Sequence, residues 1–317
     1  MASNQPAKIS VIMPNYNNGK FIAQAIDSVL QQDYPNIELI VIDDGSTDNS
    51  MEVISSYGGR ISILRQQNKG AAAARNHGMR FAQGKFISFI DSDDIWLQGK
   101  LSSQIDFLNK NTEFIACFCS WRAWNGSDNY DFLTKNAPTN YEVQQDHTGW
   151  LYLKLLKSSI ISTITILIRK DIVELVGFFD EKLTSGEDHD YWIRLSRVGK
   201  IAKISNLFAL YRTNPSSITN SVQCKNFSLV VLKNNVERFG LCNLDGKCLD
   251  YSDYKKYIAD RNFVYGYQCF WNDHRSKAKS SFIQSIKCPQ YFIKSLAYIL
   301  ICQTNFIYSR VTKKFKK

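Results

Sequence analysis

The sequence predicts an α/β fold: a mostly parallel sheet flanked by helices, followed by a helical, basic C-terminal appendage. Three observations carry this. Short β-prone apolar runs alternate with helically spaced segments from Ile9 to Asp94. The runs beginning near Ile9, Ile37 and Phe86 each end in a polar cluster, acidic in the last two, as strands do where they open onto a ligand crevice. From about Phe227 the composition turns helical, aromatic and basic. This puts a boundary near residues 215–226 and divides the chain into 1–220 and 221–317.

The elements follow in order. Residues 9–13 form a strand that runs into Pro14-Asn15-Tyr16-Asn17. Residues 20–32 place Phe21, Ala25, Ile26, Val29 and Leu30 on one helical face, and Pro35 stops the helix. Residues 37–42 are a second strand leading to Asp43-Asp44-Gly45-Ser46-Thr47-Asp48. There Ser46 or Thr47 is placed to N-cap a helix reaching about Tyr57. Residues 61–64 are a third strand, Asn68-Lys69-Gly70 a turn, and 71–81 an Ala-rich helix. Residues 86–90 organise the rest: a mostly apolar run, read as a buried strand of a parallel sheet, leading straight into Asp91-Ser92-Asp93-Asp94. Beyond it come a helix at 100–109, a strand at 114–119 and an irregular polar insertion at 121–147. A short helix at 150–157, a β-branched strand at 163–169 and a helix at 171–176 closed by Gly177 follow. After a loop at 178–187, the helix at 188–198 turns Trp192, Leu195 and Ser196 inward, and 201–211 is extended.

Composition narrows the classes. The 317 residues are 44% hydrophobic and 13% aromatic, enough for a well-filled core. The first apolar run is too short for a secretory leader, and no run reaches the roughly 18 residues of a spanning helix. Eight cysteines at irregular spacing then read as reduced thiols of a cytoplasmic protein. Cys242 and Cys248 lack the spacing of a structural zinc site. The net charge is +10, and Arg275, Lys277, Lys279, Lys287, Lys294, Arg310, Lys313, Lys314, Lys316 and Lys317 follow Asp273 with no acidic residue among them. Such a tail suits an anionic membrane face. No nucleic-acid-reading motif accompanies it.

The chemistry gathers at the strand ends. Asp91 and Asp93, two apart, can face one side. Their mutual repulsion would be relieved by Mg²⁺ or Mn²⁺ carrying substrate phosphates. A solvated acidic turn capping the next helix would show the same residues. Tyr16 offers a ring and a hydroxyl. A carboxylate of the Asp43-Asp44 pair can accept the N3–H of a uracil or thymine ring, or cap the next helix. No GxGxxG fingerprint and no P-loop follow the first strand, which argues against hydride transfer and P-loop ATPase chemistry. Arg75 can reach a pyrophosphate or Asp91, or stay solvated on its helix. Glu187, Asp188 and Asp190 fall at a helix N-terminus, where the dipole favours them and one can act as general base. His189 stands alone there.

Taken together and in this order, Pro14-Asn15-Tyr16-Asn17, Asp43 to Asp48, Asn68-Lys69-Gly70 with Ala74-Arg75-Asn76, Asp91 to Asp94 and Gly186 to Asp190 resemble glycosyltransferase family 2. These are inverting enzymes of GT-A fold, with a Rossmann-like sheet. The resemblance covers roughly residues 8–220 and takes in Tyr211-Arg212 with Ser216-Ser217 as a segment closing over the donor. It implies a metal-dependent, inverting hexosyltransferase. The donor would be a nucleotide diphosphate sugar, UDP-linked in the first instance, and the acceptor a hydroxyl of a glycan or polysaccharide, lipid-linked acceptors included. Donor binding would fall to Pro14, Tyr16, Asn17, Asp44, Asn68, Arg75, Asp91, Ser92 and Arg212. Within that set Tyr16 would stack on the base, Asp44 would bond it and Asp91 would bind ribose or phosphate. Asp93 would ligate Mn²⁺ or Mg²⁺, and Asp188 would be the catalytic base. The rival is a catalytically silent nucleotide-sugar-binding module in a polysaccharide assembly, against which the intact Asp91, Asp93 and Asp188 argue. A nucleotidyltransferase would need a Gly-rich N-terminal loop that is absent.

The resemblance does not reach the tail. Residues 291–308 are apolar but interrupted. They read as a packed helix, with the basic end 310–317 either solvated or lying on anionic lipid at the inner face of the membrane, each charge contributing about 1 kcal/mol there.

Overall fold

The computed structural model describes residues 5–126, 141–213 and 223–303. The chain divides into two compact units, residues 1–214 and 215–317.

The first unit is built on an eight-stranded sheet. Strand β1 (Ile9–Asn15) lies between β2 (Ile37–Asp43) and β4 (Phe86–Phe89) and is parallel to both, and β3 (Ser62–Arg65) adds parallel to β2. The other half is mixed. Strand β7 (Ile166–Arg169) runs antiparallel to β4, and β6 (Phe114–Trp124) antiparallel to β7. Strand β8 (Lys200–Arg212) is parallel to β6, with the two-residue β5 (Ile95–Trp96) antiparallel at its edge. The order is β3-β2-β1-β4-β7-β6-β8-β5. Every residue of β1 is buried, as expected of a central parallel strand with crossover helices on both faces.

The parallel half is connected by α1 (Ile22–Leu30), α2 (Ser50–Ser55) and α3 (Ala71–Phe81). Helix α3 can approach the sheet because Gly78 has no side chain. A Cβ there would meet Ile12 Cγ2 at 2.6 Å and Ile42 Cδ1 at 2.8 Å, closer than packed carbons come. The register sets Asn15 beside Asp43 and Asp43 beside Arg65, with Ile12 beside Phe89. The loops after β1, β2, β3 and β4 therefore emerge at one edge, the carboxyl ends of the strands.

Several boundaries differ from the sequence reading. The strand predicted at 114–119 continues to Trp124, because β8 pairs with it as far as Trp124↔Arg212. Residues 121–124 are thus strand rather than insertion, and 127–140 lie outside the described residues. Residues 163–165 form a 3₁₀ turn ahead of β7 rather than strand. Helix α2 starts at Ser50, and neither Ser46 nor Thr47 caps it. Both are bonded to Asn17 instead. The remaining helices of this unit are α4 (Lys100–Lys110), α5 (Tyr152–Lys157), α6 (Lys170–Val176) and α7 (Glu187–Leu195).

Lys100 is fully buried on α4. Its Nζ donates to Gln104 Oε1 at 2.9 Å and Ser88 Oγ at 3.3 Å, and sits 3.8 Å from the centre of the Trp96 ring. Burial pulls its pKa down to about 8. Above that pH the folded chain has released a proton that the unfolded chain keeps up to the ordinary lysine range, so stability rises with pH across this window. Between pH 8 and 10, wild type is expected to gain on Lys100→Met by up to about 1.4 kcal/mol per pH unit in urea denaturation. Parallel stability profiles for the two proteins would exclude this.

The second unit contains α8 (Phe227–Phe239), α9 (Tyr251–Trp271), α10 (Arg275–Ser285) and α11 (Phe292–Gln303). The last three pack around Cys269, Phe270, Ala278 and Phe282. Not every cysteine is a thiol: Cys242 and Cys248 form a disulfide, which corrects the sequence reading. The two lie opposite each other in an antiparallel bridge around Gly246, whose φ of +84° makes the turn. The other six cysteines are free. No helix of the described residues is long and apolar enough to cross a membrane. The basic stretch 310–317 lies outside the described residues.

Candidate active site

The loops after β1 and β2 are knitted into one surface. Asn15 is buried at the end of β1, and its Nδ2 donates to Asp43 Oδ1 at 3.2 Å and Ser46 Oγ at 3.1 Å. Asn17 adopts φ +52°. Its N–H donates to Ser46 Oγ at 3.0 Å, and its Oδ1 accepts from the Thr47 N–H at 2.8 Å. Asp48 accepts from the Gly19 and Ser50 N–H groups at 2.8 and 3.0 Å. Pro14 and Asn15 are the last residues of β1, not loop as the sequence suggested. Pro14 is tolerated because the pairing with β4 stops at Ile12, so no ladder bond is lost on that side. Tyr16, by contrast, is 47% exposed beside this lattice.

Asp44 is buried, and its carboxylate organises the turn before α3. Oδ1 accepts from Gln66 Nε2 at 2.8 Å and the Lys69 N–H at 2.9 Å, and Oδ2 accepts from the Gly70 N–H at 2.8 Å. Asp44 thus fixes the Lys69-Gly70 turn that leads into α3, rather than capping the next helix in the chain. A carboxylate offers about four acceptor positions, so one is left for a further donor. Gly45 has φ +77°, and a Cβ there would stand 3.0 Å from the Asn68 backbone nitrogen. Asn68 itself is exposed at the same edge.

The β4 strand ends at Phe89, so Asp91 and Asp93 are not on one strand face as predicted. They are brought together by a tight turn in which the Asp94 N–H donates to the Asp91 carbonyl at 3.1 Å. Ser92 is buried and accepts from Asn18 Nδ2 at 2.8 Å. Asp94 is buried and accepts from the Arg212 N–H at 2.7 Å, while its Oδ2 has no partner among the described residues. Arg212 holds this turn from β8. Its Nε donates to the Asp93 carbonyl and its Nη2 to Gln24 Oε1, both at 2.7 Å, with Phe21 and Trp124 rings against the guanidinium. Burial, reinforced by Asp91, pushes the Asp93 carboxyl up to about 6. Asp94 is pushed up for the same reasons, with Asp93 adding to the effect.

Arg75 joins two distant parts of the chain. It is only 5% exposed on α3, and its guanidinium reaches Asp91 at 2.8 Å and Glu187 at 2.9 Å. Burial works against its charge, but the two carboxylates outweigh it and raise its pKa. The solvated alternative for this residue is therefore excluded. Asp188 follows Glu187 at the start of α7, and its carboxylate accepts from the His189 N–H at 2.7 Å and Thr163 Oγ1 at 3.3 Å. Burial raises the pKa of both Glu187 and Asp188, with Arg75 opposing. Asp190 instead pairs with Arg194 at 2.8 Å, and buried His189 donates from Nε2 to the Leu155 carbonyl at 2.7 Å. His189 therefore turns to the core rather than to a metal.

Asp91, Glu187 and Asp188 thus surround Arg75, brought together from the turn after β4 and the start of α7. Sequence reasoning missed the supports of this arrangement. Asn76 binds both backbone groups of Phe179 at 2.9 and 3.0 Å; Asn76, Asn15 and Asp94 stand in the sequence motifs without a supporting role, and Thr163 stands in none. Their partners lie far along the chain, so no local pattern marks these roles.

The donor set also bears on a divalent cation. No group of three or more His, Cys, Asp or Glu side chains among the described residues could hold a metal ion on its own. The turn does hold an excess of buried carboxylate, with both Asp93 and Asp94 pushed toward protonation and Asp94 Oδ2 unpartnered. These are hard oxygen donors, and one or two carboxylates completed by phosphate and water are what Mg²⁺ or Mn²⁺ requires. The residues fit such an ion.

The sequence profile of Glycosyl transferase family 2 matches residues 10–176, over half of the chain. Relatives include the uncharacterized glycosyltransferase RP339 of Rickettsia prowazekii, 31% identical over 67% of this chain and 66% of that protein. Another is WfgD of Escherichia coli, a UDP-Glc:alpha-D-GlcNAc-diphosphoundecaprenol beta-1,3-glucosyltransferase, 34% identical over 67% of this chain and 80% of that protein. The match to RP339 spans just under two thirds of that relative's length. Among solved structures, Staphylococcus aureus TarS 1–349 in complex with UDP-GlcNAc superposes with a TM-score of 0.65 at 18% identity, covering 98% of this chain and 91% of that one. The mannosyltransferase PcManGT of Pyrobaculum calidifontis, in complex with GDP-Man and Mn²⁺, gives a TM-score of 0.58 at 16% identity over 98% and 84%. The chain belongs to glycosyl transferase family 2 and has the GT-A fold.

Proposed function

We infer that this chain moves a hexosyl group from a nucleotide diphosphate sugar, UDP-linked, to a hydroxyl of a glycan or polysaccharide acceptor, with inversion at the anomeric carbon. The observation that carries this reading is the Arg75 bridge, which ties the Asp91-to-Asp94 turn to the helix start that bears Asp188. Acceptor and donor chemistry need those two segments side by side. Exposed Tyr16 and the remaining acceptor position on Asp44 suit a pyrimidine base. The WfgD relative acts on a lipid-diphosphate-linked sugar, and the basic tail suits an acceptor displayed on an anionic membrane.

In this reading Asp188 accepts the proton of the acceptor hydroxyl as that oxygen attacks. Its raised pKa makes it the stronger base. Thr163 and the His189 N–H hold the carboxylate in place. Asp93 would hold Mn²⁺ or Mg²⁺, which supplies charge neutralisation for the leaving diphosphate. Arg75 orients Asp91 and Glu187, and Arg212 keeps the turn in shape.

The test is donor turnover without acceptor. After treatment with a chelator, slow UDP release from UDP-sugars is expected to return on addition of Mn²⁺. Asp93→Ala is expected to lose that response by at least about a hundredfold and to weaken nucleotide binding as well. Thermal shift across a panel of nucleotide-sugars selects the donor, because a ligand of the native state raises its unfolding midpoint. Metal-independent release unchanged in Asp93→Ala would remove the metal from the reading. Donor binding with no turnover at all would leave a silent binding module.

A further inference from the structure

Helix α11 is apolar on both sides. Its inner face packs Tyr298, Ile299 and Cys302 against the Phe270 and Phe282 cluster, with Ser295 bonded to Ser285 at 2.8 Å. Its outer face leaves Phe292, Ile293, Leu296 and Leu300 at 51, 80, 41 and 54% exposure, and Ala297 is exposed between them. Positions 293, 296, 297 and 300 recur at helical spacing, so they form one continuous stripe. A contiguous apolar stripe of this kind marks a contact surface rather than an ordinary solvated face.

We propose that this outer face seats the protein on an anionic lipid bilayer. Charge selects that occupant. Exposed Lys294 flanks the stripe on α11, and exposed Lys287 stands just before it. From Arg275 to Lys317 the sequence has ten basic residues and no acidic one. A second copy of the chain would bring the same positive charge against itself, whereas anionic headgroups meet both features together. Phe, Ile and Leu enter the acyl boundary while the lysines extend their ammonium groups to the headgroups. Its twelve described residues are too few to cross a bilayer, which fits a helix lying in the interface. This inference does not depend on sugar transfer, and its test involves no donor.

Full-length protein is floated with vesicles of phosphatidylcholine, with and without phosphatidylglycerol. Wild type is expected to float with the anionic vesicles and largely to stay behind with the neutral ones. The double variant Ile293→Asp, Leu300→Asp is expected to lose recovery on anionic vesicles by at least about tenfold. Both side chains are solvent-exposed, so circular dichroism and the unfolding midpoint of the variant should match wild type. Equal recovery of variant and wild type overturns the proposal, as does a wild type that binds neither vesicle. A wild-type dimer in sedimentation velocity that the variant loses, without vesicle binding, assigns the face to a second copy and also overturns it.

Discussion

Asp188→Asn is expected to lower sugar transfer by about a thousandfold, within the range associated with loss of a general base, while nucleotide affinity changes little. The substitution is nearly isosteric. The amide oxygen can still accept from the His189 N–H or Thr163 Oγ1, the two bonds that hold the carboxylate now. What disappears is the basic oxygen. Steady-state transfer assays alongside calorimetric titration of UDP separate chemistry from binding. Wild-type turnover in this variant would transfer the base role elsewhere, with Glu187 next in line because it sits one residue away at the same helix start. Glu187 is engaged by Arg75 at 2.9 Å, which is why it ranks second.

Arg75→Met is expected to lower both stability and activity. It leaves Asp91 and Glu187, now ion-paired at 2.8 and 2.9 Å, without their shared cation in a mostly buried setting. Breaking a buried pair from one side costs about 3–5 kcal/mol, a large share of an ordinary domain's stability. Repulsion between the stranded carboxylates should also pull the Asp91 turn away from the start of α7. Activity is therefore expected to fall by at least about a hundredfold even where the protein remains folded, since small misplacements of reacting groups have effects of that size. Arg75→Lys separates charge from geometry. It restores the positive charge but cannot fork to two carboxylates at once, so stability should recover more than turnover does. Urea denaturation and kcat measured on both variants provide the comparison. Full activity in Arg75→Lys would show that charge alone suffices.

Much of the architecture was legible locally. The buried runs of the parallel half, the Ala-rich helix at 71–81 and the polar strand ends follow from side-chain periodicity and from Gly and Pro placement, which act over a few residues. The acidic turn after Phe89 was also visible, because carboxylates seldom crowd together without a purpose. What composition could not tell was how long β6 runs, since its extension to Trp124 depends on β8 as a partner. Nor could it tell that Cys242 and Cys248 meet, which depends on the turn at Gly246.

The same division holds at the candidate site. Residue types and their order along the chain already named the strand-end motifs, because hydrophobic periodicity and local turn chemistry are properties of neighbouring residues. The tertiary structure alone assigned their partners. It showed Arg212 clamping the Asp93 carbonyl and Asp44 holding the turn before α3. It also set Arg75 between Asp91 and Glu187 rather than in solvent. Ion pairs and buried hydrogen bonds are decided by which groups lose water together, and that is known only once the sheet has brought distant segments to one edge.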